Sequence, residues 1–95
     1  MEHWKFIDPQ NVAVIANKKA LAANGWIAYV IHDSDDGAWQ FHSADAEVKE
    51  SDAAVVSLRS VVEIDPSINE LADLPPGWHA WRNTKNSPWK RAPKQ

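Results

Sequence analysis

The chain has 95 residues with six Trp, one Tyr and two Phe, no Cys, and a net charge of −3. One domain with one core fits that length, and the missing cysteines exclude disulfides and thiolate metal sites, so packing and backbone hydrogen bonds must hold the fold. No basic stretch leads into an apolar run at the N-terminus and nothing approaches the ~20 apolar residues of a membrane span, which argues against a secretory signal and leaves the cytoplasm as the expected location.

Residues 11–16 (Asn-Val-Ala-Val-Ile-Ala) are rich in β-branched side chains and read as a short strand covered on both faces. Residues 18–23 suit one or two helical turns, closed by Asn24 and Gly25, which tolerate left-handed backbone. Residues 26–43 read as a hairpin whose loop is the run of turn formers Asp33-Ser34-Asp35-Asp36-Gly37. With all five in the loop, His32 faces Ala38, Val30 faces Gln40 and Ala28 faces His42. That register gathers Ile27, Tyr29, Ile31, Trp39 and Phe41 on an apolar face and leaves His32, Gln40 and His42 on the other with Trp26, Ala28 and Val30.

Beyond a polar, acidic stretch at 43–52, Ala53-Ala54-Val55-Val56 reads as a short buried strand. The period then changes: Leu58, Val61, Val62 and Ile64 fall at helical spacing, with Ser57 as the cap. Asp65-Pro66 ends that helix and starts another, Asp65 as N-cap and Pro66 at the first helical position, with Ile68, Leu71 and Ala72 on its buried side. Leu74-Pro75-Pro76-Gly77 is a turn, Trp78-His79-Ala80-Trp81-Arg82 a last short strand, and residues 83–95 a polar, basic tail. The fold expected is α+β: a small, mostly antiparallel sheet with a central hairpin at about 26–43, packed against two or three short helices. The whole chain forms a single domain with its core at about 11–82.

Charge is unevenly spread, +1 over residues 1–32, −9 over 33–73 and +5 over 74–95. The acidic middle repels nucleic acid, and only the basic end attracts it. A solvated acidic face that pairs with the basic end accounts for the asymmetry as well as a functional patch does.

Catalytic chemistry finds no foothold. His3, His32, His42 and His79 have no ligand spacing, and the hairpin separates His32 from His42 by roughly 13 Å at about 3.4 Å per residue, too far to share a zinc ion. Counting back from Gly37 as the sixth position of a calcium loop puts His32 first and Ser43 twelfth, where a bidentate Glu belongs. None of the seven Ser lies in a Gly-x-Ser-x-Gly elbow, and three glycines cannot build a phosphate-cradling loop. No catalytic residue, metal ligand or cofactor site is assigned. Trp78, Trp81 and Trp89 with Arg82, Lys90 and Arg91 form an aromatic–basic cluster, which either closes the core or stacks on a partner. Trp89 is its best interface candidate.

Asn17-Lys18-Lys19-Ala20-Leu21, His32-Asp33 leading to Trp39-Gln40-Phe41, Val56-Ser57-Leu58, Ile64-Asp65-Pro66-Ser67 and Leu74-Pro75-Pro76-Gly77-Trp78-His79-Ala80-Trp81-Arg82 occur in an order that resembles a family of small bacterial domains. That family, of unassigned function, is grouped with the immunity proteins of polymorphic toxin systems as immunity protein 33. The likeness runs from about Asn11 to Trp89. It implies a bacterial α+β protein without a cofactor that neutralises a cognate protein toxin by occluding it. The family supplies no residue roles to transfer. The partner-binding candidates are therefore read from charge and aromatic content: Asp33, Asp35, Asp36, Asp45 and Glu47 in the acidic stretch, and Trp89, Lys90 and Arg91. The alternatives are a small-ligand or nucleic-acid module built on the C-terminal Trp and basic residues, or a domain with no toxin partner.

Overall fold

The computed structural model describes residues 4–44 and 50–94. Strand β1 (Ala13–Asn17) runs into the single helical turn α1 (Lys18–Leu21), and the hairpin strands β2 (Tyr29–His32) and β3 (Trp39–His42) follow. A 3₁₀ turn (Glu50–Asp52) precedes β4 (Ala53–Ser57), which leads through α2 (Leu58–Ile64) and a 3₁₀ helix (Pro66–Leu71) to β5 (Trp78–Trp81) and β6 (Lys90–Pro93). The strands form one sheet in the order β4-β1-β3-β2-β5-β6, with β1 and β3 parallel and every other neighbouring pair antiparallel. The architecture is α+β, with α1, α2 and the 3₁₀ helix Pro66–Leu71 packed on one face.

The capping residues act as their chemistry dictates. Asn17 accepts from the Lys19 N–H, Ser57 from the Ser60 N–H, and Asp65 from the Ser67 N–H at the Pro66 start of the 3₁₀ helix. Leu58, Val61, Ile68 and Leu71 face inward, and with Val14, Ala16, Val30, Trp39, Phe41 and Ala80 from the sheet they form one core. Phe6 joins it edge-on to Trp39, whose indole N–H donates to Asp8.

The hairpin register differs by one residue from that expected. Tyr29 pairs with His42, Val30 with Phe41, Ile31 with Gln40 and His32 with Trp39. Asp33 is not a loop residue: its N–H donates to the Ala38 carbonyl while its carboxylate accepts from the Asp35 N–H. The loop proper is thus Ser34–Gly37, closed by Gly37 at φ +72°. Shortening the loop by one residue moves each strand's side chains to the opposite face relative to its partner. Val30 therefore joins Trp39 and Phe41 in the core, and His32 stacks on Trp39 with its Nδ1 at 2.7 Å from the Leu74 carbonyl oxygen. Tyr29 and Ile31 lie on the other face with Gln40 and His42.

Other expectations are corrected. β1 is covered on one face only, and β4 is an edge strand rather than a buried one, with Val55 74% exposed. Gly25 does not have left-handed backbone; it is required because a Cβ there would lie 1.7 Å from the Lys19 carbonyl oxygen. The segment beyond Asn83 is not merely a tail, since β6 pairs along β5 and Trp89 packs against the core, which reaches past 11–82 in both directions.

One buried cation links the parts. The Arg82 side chain is 2% accessible; its Nε donates to the Ile27 carbonyl at 2.8 Å, Nη1 to Ser67 Oγ at 2.9 Å and Nη2 to Asp65 Oδ2 at 2.5 Å. The Trp89 ring lies 4.2 Å from the guanidinium carbon, and the Trp89 indole N–H donates to Ser67 as well.

Two outcomes follow for stability. Asp65→Ala should cost about 3–5 kcal/mol in urea unfolding, because it strands a buried guanidinium. The double variant Asp65→Ala/Arg82→Met should cost less than the sum of its single changes; strict additivity would show that the pair does not act together. Gly25→Ala should cost on the order of 3 kcal/mol, and a midpoint indistinguishable from wild type would mean the backbone yields without strain.

Candidate functional site

α1, α2 and the 3₁₀ helix Pro66–Leu71 cover one side of the sheet, and among the described residues no helix covers the opposite, open side. The register places Ile15 and Val55 beside Gln40 and His42, then Tyr29 and Ile31, then His79 and Trp81, then Lys90 and Ala92. Ile15 is 41% exposed and Val55 74%. Tyr29, Ile31, Gln40, His42, His79 and Trp81 are half-buried, each sheltered by its cross-strand neighbours.

The centre of this face is an aromatic–imidazole cluster. Tyr29 meets the His79 ring edge-on at 5.5 Å between centroids, His42 lies 6.1 Å from Tyr29 on the other side, and Trp81 lies 5.2 Å from His79. The Tyr29 hydroxyl is 2.7 Å from His79 Nδ1. Burial raises the Tyr29 pKa, which keeps the phenol protonated. His42 Nε2 is 3.1 Å from Gln40 Oε1, and among the described residues His42 Nδ1 and Ser43 Oγ are enclosed without hydrogen-bond partners. Burial pushes the His42 imidazole below its ordinary value of 6.5. A neutral phenol and a neutral imidazole suit contact with a dry surface; neither is an activated nucleophile.

Those of the residues expected to contact a partner that fall among the described residues do not converge. Asp35 and Asp36 lie exposed in the hairpin loop, and Asp33 lies at its base. Asp33 and Asp36 each spend one carboxylate oxygen on the loop backbone. Asp45 and Glu47 lie outside the described residues. Trp89 is taken up by Arg82 and Ser67. Arg91 donates to Asp73 at 2.8 Å and to the Glu70 carbonyl at 2.8 Å, which lowers the pKa of the exposed Asp73 carboxyl. Lys90 is exposed beside Trp81 at the margin of the open face.

The sequence placed Tyr29 and Ile31 on the core face of the hairpin and grouped Trp81 with Trp78, Trp89 and the C-terminal basic residues, so their meeting with His79 on the open face was not expected. Their signal was present in the alternation of β2 and β5, and the misjudged loop length hid it. On the helical side, a cleft of about 460 Å³ between Trp4, Gln10, Arg59, Val62, Glu63 and Pro66 contains the Arg59–Glu63 ion pair, which neutralises its charge. No group of three or more His, Asp or Glu able to hold a metal occurs among the described residues, and none of their helices is long and apolar enough to cross a membrane. The chain matches no family model, no curated protein and no solved structure.

The His42 shift sets a pH dependence. Its folded pKa lies below that of the unfolded chain, so the unfolded state takes up the proton first and stability is lost as pH falls below about 6.5. Urea unfolding at pH 7.5 and 5.5 should show a larger loss for wild type than for His42→Gln; equal losses would assign the dependence to other groups.

Proposed function

We propose that the chain is a non-catalytic binding protein of the immunity type, which neutralises a partner protein in the bacterial cytoplasm by laying its open sheet face across it. One observation supports this most: among the described residues the helices that pack on the sheet lie on one side, and the other side carries Ile15, Val55, Tyr29, Ile31 and Trp81. Half-exposed aromatic and aliphatic groups on rigid strands form the kind of surface that becomes the dry centre of a protein interface. Tyr and Trp add contact area at little entropic cost. The exposed acids of the hairpin loop stand at one end of this face, so the partner that fits has an apolar patch edged by basic groups, drawn in by charge and held by burial. The order of motifs that resembles immunity protein 33 agrees with such a role.

Expression of the neighbouring gene in a naive host, with and without this protein, tests the reading. The neighbour should arrest growth and co-expression should restore it. Ile31→Asp should abolish the rescue while leaving the circular dichroism spectrum intact, and Asp35→Lys/Asp36→Lys should slow association about tenfold at low salt. A harmless neighbour together with no stable protein partner in the source lysate would end this proposal. Recovery of nucleic acid instead, lost steeply as salt rises, would shift the function to the basic residues near Lys90.

A further inference from the structure

The two edges of the sheet differ in a way that bears on self-association. An edge strand presents unpaired N–H and C=O groups, and proteins that stay single guard such edges with charge, proline or cover. β6 is guarded: its residues are Lys90-Arg91-Ala92-Pro93, and Pro93 has no N–H to offer. β4 is not. Its residues are Ala53-Ala54-Val55-Val56-Ser57, with no charge, proline or glycine, and among the described residues its only strand neighbour is β1.

The direction of its free groups follows from the hydrogen bonds. The Leu58 N–H donates to the Val12 carbonyl, and in an antiparallel ladder the bonded pairs recur at every second residue. Val56 and Ala54 therefore bond to Val14 and Ala16, while the backbone groups of Ala53, Val55 and Ser57 point away from the sheet. The Val55 side chain stands on the open face, 74% exposed, next to Ile15 at 41%.

We propose that β4 is the seat of a symmetric homodimer, in which β4 of a second copy pairs antiparallel to it about Val55. In that register Val55 exchanges both backbone hydrogen bonds with Val55 of the second copy, and Ala53 with Ser57, so the outward groups meet partners of the opposite kind. This is the isologous pattern a two-fold axis demands. The charges at the strand ends fit the same arrangement. The acidic turn that contains Asp52 precedes β4 and Arg59 follows it; within the chain Asp52 pairs with Lys19 at 3.8 Å and the exposed Arg59 with Glu63 at 3.4 Å, and the antiparallel register adds the acidic end of each copy alongside Arg59 of the other. A parallel pairing would set like charges together. On the open face the two Val55 side chains meet, and with the two Ile15 side chains they form a continuous aliphatic stripe across the axis. Association stops at two, because among the described residues each chain has one unguarded edge and the outer edges of the dimer are both β6.

Sedimentation equilibrium of the full chain between about 5 and 200 μM, in the absence of any partner, tests this proposal independently of the toxin reading. Wild type should reach twice the monomer mass. Val55→Lys, which sets two ammonium groups side by side at the axis, should halve it with an unchanged circular dichroism spectrum. Val55→Thr, which preserves strand propensity, should remain dimeric. Arg59→Glu should raise the dissociation constant about tenfold. A wild-type monomer at 200 μM would overturn the proposal, and so would a Val55→Lys variant that is still folded and dimeric, since its contact would then lie elsewhere.

Discussion

A guanidinium sealed from water is costly unless its donors are satisfied, and the requirement to satisfy Arg82 shapes much of this molecule. Its partners come from the segment before β2 (Ile27), the start of the 3₁₀ helix (Asp65 and Ser67) and the approach to β6 (Trp89). Asp65 ends α2, begins the next helix and neutralises the cation. Ser67 accepts from both Arg82 and Trp89 while donating to Asp65. Segments far apart in sequence are thus fixed relative to one another by directional bonds, which gives a small core a defined arrangement that apolar packing alone would specify less sharply.

That arrangement divides the molecule into a structural side and a free side. Helices, buried rings and the Arg82 network all lie on one face of the sheet. On the other, nothing from the described chain covers the strands, so the side chains that emerge there are limited only by their own neighbours. The Tyr29–His79 bond and the His42–Gln40 contact hold the polar atoms of the aromatic cluster within the surface. A surface of this kind is stiff before it meets anything, which lowers the entropy lost on association.

Local chemistry was legible in the sequence wherever the signal was local. Ser57 and Asp65 cap because a side-chain oxygen beside a free N–H suffices, and Pro66 and the 74–77 turn follow from ring geometry and glycine freedom. The α+β class followed from the change of period along the chain. What escaped depends on distant contacts. Whether β4 lies inside the sheet or at its edge is decided by which strands flank it, and its run of small aliphatics fits either position. β6 was hidden because Lys90-Arg91-Ala92-Pro93 has no strand pattern of its own and is ordered by pairing with β5. Trp89 looked available because nothing near it in sequence reveals that Arg82 lies beneath its ring. Gly25 was read as a turn residue, although the clash that forbids a side chain there comes from Lys19 in the preceding helix.

The short connection between β2 and β3 has a wider consequence. Strands alternate strictly, so the register that sets His32 opposite Trp39 decides whether Tyr29 and Ile31 or Val30 belong to the outside world. A slip of the pairing by one residue would exchange the inside and outside sets of one strand relative to the other, whereas a slip by two would keep them. The bend at Ser34–Gly37, by holding His32 opposite Trp39, thus governs the chemistry of an outer surface that it need never touch.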